Sequence, residues 1–362
     1  GMLRSGLGFP ETNVSACLNV AADHLGLRGI DTLEQLAEVK RVPVEIAKDA
    51  AVLNADDALC LQMADYTQAE KVCYVTMNPA HPLVKKHIQA GGQAFVLEQG
   101  MNGHMITIYD NETHTPLLWT HLVPATIEGR AMHNVQNAMF AAALAYNMDI
   151  SLEDIRHGLR TFDSTYFQAP GRMNIYDEHP FRVILDYAHN PAAVRAMCNL
   201  VDRFEVDGRK IVVLAAPGDR RDEDIREIAG IAAGHFDHYI CRVDDNRRGR
   251  GHEEVAIMQK NRLLEAGVPA DHIEVVPDEQ EATMRALEMA VHGDLVLILG
   301  DNVKRTWKQI IYFKSGAKVA ASGPGAPATI DLPDVDGFSL DEDLEIISDE
   351  RGVRIARSEE AD

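Results

Sequence analysis

The chain has 362 residues, 46% of them hydrophobic, and a formal net charge of −21. That length suits about two domains of ordinary size with a substantial core, and the acidic balance argues against a general nucleic-acid binder. No apolar run approaches the roughly 18–20 residues of a membrane span, so neither nucleic acid nor membrane is expected as a partner.

Cys17, Cys60, Cys73, Cys198 and Cys241 are odd in number and form no Cys-x-x-Cys pair. They read as small buried hydrophobes of a reducing cytoplasm. Gly1 before Met2 reads as a tag-cleavage scar, and no signal peptide is expected.

In chain order, Val14–Val20 reads as a strand, and Thr32 opens a helix with Leu33, Leu36, Ala37 and Val39 on its inner side. Ala51–Asn54 is a strand running into an acidic turn. Strands at Val72–Thr76 and Ala94–Leu97 flank an amphipathic helix at Pro82–Ala90. Met105–Tyr109 and Leu117–Val123 enclose Asp110-Asn-Glu-Thr, good hairpin chemistry. The segment from His133 to Ala145 begins with capping residues and continues as a nearly all-apolar helix, so it is expected to be buried. Ile155 to about Gly171 reads as a link.

Beyond the link, strands at Val183–Leu185, Ile211–Ala215, Tyr239–Val243, Ile273–Val276 and Leu295–Leu299 alternate with helices at Ala192–Phe204, Asp222–Gly234, Glu253–Ala266 and Glu279–Val291. That alternation implies a mainly parallel sheet with helices on both faces. Ser315–Thr329 is a linker in composition. From Asp331 to Asp362, twelve Asp and Glu stand against three Arg, a balance of −9. This reads as a mobile solvating tail with at best a marginal strand or helix around Leu344–Ile347.

The most informative stretch is Arg182-Val-Ile-Leu-Asp-Tyr-Ala-His-Asn-Pro191. Its apolar run ends in Asp186, Tyr187, His189 and Asn190, beyond the carboxyl end of a strand, where open α/β sheets hold ligands. Pro191 then suits the first turn of a helix. The next strand runs into Pro217-Gly-Asp-Arg-Arg-Asp-Glu-Asp224, also densely charged. The bland alternative is a pair of capped strand-to-helix turns whose charges pair with one another across a solvated loop.

These motifs, with Pro170-Gly-Arg-Met-Asn and Asp244-Asp-Asn-Arg-Arg-Gly-Arg250, resemble the Mur ligase family in the form found in cyanophycin synthetases. The resemblance runs from Leu3 to about Phe313. It implies an α/β chain in which a partial Mur ligase central, ATP-binding domain (1–165) precedes a Rossmann-like Mur ligase C-terminal domain (166–314). A flexible acidic tail (315–362) would follow. The activity implied is ATP-dependent amide ligation, adding arginine to a β-aspartyl carboxylate through an acyl phosphate, with ATP and Mg²⁺ as cofactors.

Residue by residue, the resemblance implies that His24 helps hold Mg²⁺ and that Lys40 stands where several relatives carry a carbamylated lysine. Asn134 and Asn137 would lie against the adenine. For Asn134, capping of its own helix is an equal alternative. Arg172 would approach the nucleotide, Asp186 bind the ribose hydroxyls as an acceptor-only group, and His189 sit near the phosphates and the incoming amine. A cationic arginine substrate calls for planar carboxylates. The candidates are Asp219, Asp222, Glu223, Asp224, Asp244 and Asp245, with Asn190 beside them. Arg220, Arg221, Arg247 and Arg250 are available for its carboxylate or for an acidic peptide acceptor.

One departure is clear. Mur ligases cradle ATP phosphates in a Gly-x-x-Gly-Lys-[Ser/Thr]-type loop, and this sequence has none. The expectation is a fragment that needs a phosphate-loop segment from another N-terminal polypeptide and is inactive alone. The rival reading is a non-catalytic nucleotide- or amino-acid-binding module. Losing the phosphate-loop strand should also bare the apolar sides of Val14–Val20, Val52–Leu53 and the helix Asn134–Ala145. That exposure points to a homo-oligomer, a covering partner or local rearrangement.

Overall fold

A computed structural model describes residues 6–23, 25–26, 28–314, 344–349 and 351–357. The chain divides into two compact units, Gly1–Ala21 with Ile30–Phe162 and Pro327–Asp362, and Ala22–Gly29 with Asp163–Ala326. No helix among the described residues is long and apolar enough to cross a membrane.

The first unit is a six-stranded sheet in the order β1 to β6: Thr12–Cys17, Ala47–Asn54, Lys71–Thr76, Gln93–Gly100, Gly103–Asp110 and Thr113–Trp119. The first four strands are parallel and the last two add as antiparallel hairpins. Helices α1 (Leu33–Glu45), α2 (Ala58–Gln62) and α3 (Pro82–Gln89) connect the parallel strands. Thr32 and Gln35 close a capping box on α1, which fixes where that helix begins.

Helix α4 (Met132–Asn147) packs Val135, Met139, Phe140 and Ala143 against Val52, Val75, Phe95 and Ile106 of the sheet. Of the apolar faces expected to be bare, Val52, Leu53, Met139 and Phe140 are buried within the chain, whereas Val14, Ala16 and Leu18 are half-buried. The expected link at Ile155–Gly171 contains a helix, α5 (Leu152–Thr161), whose start is fixed by Ser151 accepting from the Asp154 N–H.

The acidic tail differs from its expectation over Leu344–Arg357. Strands β13 (Leu344–Asp349) and β14 (Gly352–Arg357) form a hairpin that packs on α2 and α3. Charge misled the reading, because Val353, Ile355 and Ala356 are buried while Arg351 and Arg354 neutralise Asp349. The remainder of the tail, 315–343 and 358–362, lies outside the described residues.

The second unit is a six-stranded sheet in the order β11-β10-β9-β12-β8-β7. Its strands are β7 (Asn174–Tyr176), β8 (Arg182–Asp186), β9 (Lys210–Leu214), β10 (His238–Cys241), β11 (Ile273–Val275) and β12 (Leu295–Leu299). All pairings are parallel except β7, an antiparallel edge strand. Along each strand alternate residues face opposite sides. Val183, Leu185, Ile211, Val213, Val296 and Ile298 form one core with α9 (Glu279–Met289) and α10 (Val303–Tyr312). Ile184, Val212 and Leu297, pointing the other way, are equally buried. Helices α6 (Pro191–Val201), α7 (Asp222–Ala232) and α8 (Glu254–Glu265) pack side by side. The α/β, mainly parallel architecture is as expected; β7 and α10 are additions to it.

Candidate ligand site at the strand ends of the second unit

The carboxyl end of β8 is stapled to the turn before β7. The Tyr187 N–H donates to the Gly171 carbonyl at 2.9 Å and the Met173 N–H to Asp186 Oδ2 at 2.8 Å. The turn needs its glycine, since Gly171 has φ of +71° and a Cβ there would meet Val303 at 2.6 Å. The Asn174 carboxamide, fully buried, accepts from the Gly171 N–H at 2.7 Å and donates to the Ser164 and Ala169 carbonyls at 2.8 and 2.9 Å. Arg172 is left exposed at the tip, its guanidinium 5.5 Å from the Tyr187 ring. Burial pushes the Asp186 carboxyl above the usual carboxylate range, against the pull of the Met173 N–H and Arg172.

Pro191 opens α6, and Asn190 caps it by accepting from the Ala193 N–H at 2.9 Å. His189 Nδ1 donates to the Tyr187 carbonyl at 2.8 Å, which leaves Nε2 facing Asp23 Oδ2 at 3.8 Å. Asp23 also accepts from Arg220 at 2.9 Å and from Asn190 at 3.4 Å. His24, offered as a metal ligand, lies outside the described residues. Asp23 beside it is the group that joins His189, Asn190 and Arg220, and sequence reasoning passed over it.

The charged turns after β9 and β10 are internally paired. Arg221 holds Asp224 through two bonds of 2.9 and 2.8 Å. Arg250 pairs with Asp222 at 2.7 Å and donates to the Gly218 and Arg220 carbonyls, both at 2.8 Å. Asp219 accepts from Arg220 at 3.1 Å and Arg248 at 2.6 Å. Arg305 grips Asp245 at 2.7 and 2.9 Å. Arg247 is exposed and has no side-chain partner among the described residues.

Under these turns lies an ion network the sequence did not disclose. Arg242, 1% exposed, reaches Asp244 at 3.1 Å, Glu279 at 3.2 Å and the Leu299 carbonyl at 2.6 Å. Glu279, wholly buried, also accepts from Arg305 and from the backbone N–H groups of Asp301 at 2.6 Å and Asn302 at 3.2 Å. Burial raises the Asp244 carboxyl, opposed by Arg242. Alternation alone placed Glu279 at a helix start, and nothing local marked it as buried.

Three residues named from the sequence belong to the first unit. Lys40 donates from Nζ to the Asn19 carbonyl at 2.9 Å. Asn134 is not a cap, since Ala131 occupies the cap position of α4. It donates to the Ala125 carbonyl at 2.7 Å and accepts from the exposed Asn137 at 3.1 Å. Among the described residues no group of three or more His, Cys, Asp and Glu is arranged to hold a metal ion.

Residues 171–302 match the Mur ligase, glutamate ligase domain. The chain is 42% identical over 312 residues to cyanophycin synthetase of Trichormus variabilis and 39% identical over 307 residues to that of Synechocystis. These alignments cover 86% and 84% of this chain and 34% of each relative. The chain thus spans about a third of the length of the cyanophycin synthetases it matches. Among solved structures it is similar to the bifunctional folylpolyglutamate synthase/dihydrofolate synthase of Yersinia pestis complexed with AMPPNP and Mn. That likeness has a TM-score of 0.56 and 21% identity, covers 83% of this chain and 62% of the other, and bears on the fold alone. The strand ends described above thus lie within the matched Mur ligase, glutamate ligase domain, and the chain is similar to cyanophycin synthetases over most of its own length.

Proposed function

We propose that the chain is part of an ATP-dependent amide ligase of the cyanophycin synthetase kind, adding arginine to a β-aspartyl carboxylate. The observation that carries this reading is Asp186. It is an acceptor-only carboxylate at the end of β8 inside the matched domain, pinned by Met173 and flanked by Arg172 and His189.

ATP would supply the phosphoryl group that activates the acceptor carboxylate. Asp186 suits two O–H donors such as ribose hydroxyls, and Arg172 at its exposed tip suits an anionic group. His189, with Nδ1 committed to a carbonyl, keeps Nε2 for a proton at the amine or for a phosphate oxygen. The donor set for Mg²⁺ is not assembled among the described residues, and no step is assigned through it. The phosphate-cradling loop would come from polypeptide outside this sequence.

Arginine recognition has to take account of the pairing. Each Asp offered for a guanidinium is held by an arginine of this chain, so a cationic substrate must exchange with one of them. That same pairing favours a second reading, a nucleotide-binding module without turnover.

The test is titration with ATP and with adenosine, with and without Mg²⁺, on the chain and on Asp186→Asn. Binding weakened tenfold or more by the variant supports a nucleotide site at β8, and undiminished binding overturns it. Arginine-dependent ATP turnover on addition of a phosphate-loop polypeptide from a relative would select the ligase; bound nucleotide without turnover would select the module.

A further inference from the structure

Cys17 closes β1 and Cys60 lies in α2, 43 residues apart in sequence, yet their Sγ atoms are 3.4 Å from each other. Both are free thiols and both are buried. The other three cysteines make no such contact among the described residues. A disulfide needs its sulfurs at about 2.0 Å in a restricted dihedral geometry, so a pair this close requires only a small approach.

The surrounding backbone holds the two side chains in place. Asp57 caps α2 by accepting from the Cys60 N–H at 3.0 Å through Oδ1, and its Oδ2 accepts from the Val20 N–H at 2.7 Å. The strand exit between is tied down twice more. Asn54 donates to the Leu18 carbonyl at 2.7 Å, and Lys40 donates to the Asn19 carbonyl at 2.9 Å. Asp57 thus fixes the segment carrying Cys17 against the helix carrying Cys60, and Asn54 and Lys40 hold that segment to β2 and α1.

The two thiols are not equivalent. Cys60 donates its S–H to Cys17 Sγ. That hydrogen bond, with the Lys40 ammonium nearby, lowers the Cys17 thiol against the opposing effect of burial. The same hydrogen bond and burial raise Cys60. The thiolate is the nucleophile of thiol oxidation, which makes Cys17 the attacking sulfur and Cys60 the resolving one. Cys17 is 5% exposed and Cys60 wholly enclosed, an opening for a small oxidant and not for a bulky disulfide.

We propose that Cys17 and Cys60 form a peroxide-responsive dithiol that closes to an intramolecular disulfide. The Cys17 thiolate attacks one oxygen of hydrogen peroxide, the O–O bond breaks and hydroxide leaves, giving the sulfenic acid. Cys60 then attacks the Cys17 sulfur, an S–S bond replaces the S–O bond, and its thiol proton leaves with the hydroxyl as water. Sulfur loses two electrons and one peroxide is reduced. The crosslink ties the exit of β1, with the Lys40 and Asp57 contacts it carries, to α2.

The experiment treats the folded chain with hydrogen peroxide, and separately with oxidised glutathione, then alkylates free thiols and maps the peptides without reduction. The expected product after peroxide is the Cys17 peptide joined to the Cys60 peptide. Cys73, Cys198 and Cys241 should be alkylated, and dithiothreitol should restore all five thiols. Oxidised glutathione should work at least tenfold more slowly. Cys60→Ser should stop at a Cys17 sulfenic acid trapped by dimedone, while Cys17→Ser should give neither product. Both serine variants alter one buried atom, and the wild-type map stands without them. No Cys17–Cys60 link under peroxide, or links scattered among all five cysteines, overturns the proposal.

Discussion

The Met173 N–H and the Asp186 carboxylate meet at 2.8 Å, and that bond joins the glycine turn before β7 to the end of β8. Met173 sits at φ of +52°, a left-handed conformation uncommon for a non-glycine residue. Burial raises the Asp186 carboxyl, so between its unfolded and folded values the folded state binds more protons. Stability then falls as pH rises through that window. Asp186→Asn keeps an acceptor for Met173 and removes the buried charge. Urea unfolding should show the variant matching the parent near pH 4 and gaining on it as pH rises. A variant that loses stability toward pH 7 would contradict this account.

Nucleotide affinity should move the opposite way. A protonated Asp186 turns one acceptor oxygen into a donor, so adenosine binding should weaken as pH falls and the raised carboxyl takes up its proton. Asp186→Asn should bind weakly at every pH. Titration calorimetry from about pH 4 to 8 checks both curves, and a flat wild-type profile would remove Asp186 from the nucleotide contacts.

Arg242 is the group whose loss should cost most. Arg242→Leu leaves the buried Asp244 without its paired cation and the buried Glu279 with Arg305 alone. Breaking a buried pair by removing one partner costs about 3–5 kcal/mol. Chemical denaturation of Arg242→Leu should show a loss of that size. Arg247→Leu, on an exposed residue without a side-chain partner among the described residues, should stay within about 0.5 kcal/mol.

Much of this was legible. The apolar runs at Val183–Leu185 and Leu295–Leu299 mark β8 and β12 because buried parallel strands must be apolar on both sides. Asp186 and Asn190 were readable as strand-end and cap residues from their neighbours alone. Asp23, Arg242 and Glu279 were not, since their importance comes from partners up to 197 residues away. Local charge density also could not separate a ligand pocket from mutually paired loops, and the pairs of Arg221, Arg250 and Arg305 decide where those charges go. Composition misread Gly352–Arg357, because the acidic tail around it hid a short strand buried over Gly352–Ala356.

The arginine reading predicts a difference between arginine and citrulline, its uncharged near-isostere. A charge-assisted hydrogen bond to a carboxylate contributes about 1.5–3 kcal/mol, but the new guanidinium must displace one already present. The expected preference is therefore at the low end, about tenfold. Arg305→Met, which leaves Asp245 unpaired, should enlarge it if Asp245 belongs to the pocket. Equal affinities for the two ligands in both proteins would remove these carboxylates from substrate recognition.

The tail hairpin should be sensitive to pH through His87. This ring is wholly buried. Its Nδ1 accepts the Val353 N–H at 3.0 Å while Nε2 donates to the Val72 carbonyl at 3.1 Å. With Nδ1 accepting, the ring is neutral, although Nδ1 also lies 3.1 Å from the Val353 carbonyl; burial lowers the His87 pKa below its ordinary 6.5 against the pull of that carbonyl and of Val72. The unfolded segment therefore binds the extra proton first. Docking is fully present above about pH 6.5 and is lost as pH falls from there through the folded value. The neighbouring Asp349 does not share that window. Asp349 is held down to about 2 by Arg351 and Arg354 despite its partial burial, and Asp65 pairs with Arg354. Arg351 also donates to the Thr67 carbonyl at 2.6 Å. Hydrogen exchange of residues 344–349 and 352–357, corrected for its intrinsic rate, should lose protection between pH 7.5 and 5. One proton sets a limit of about tenfold per pH unit. His87→Gln should flatten the dependence, and a wild-type hairpin equally protected across that range would show that His87 does not control its docking.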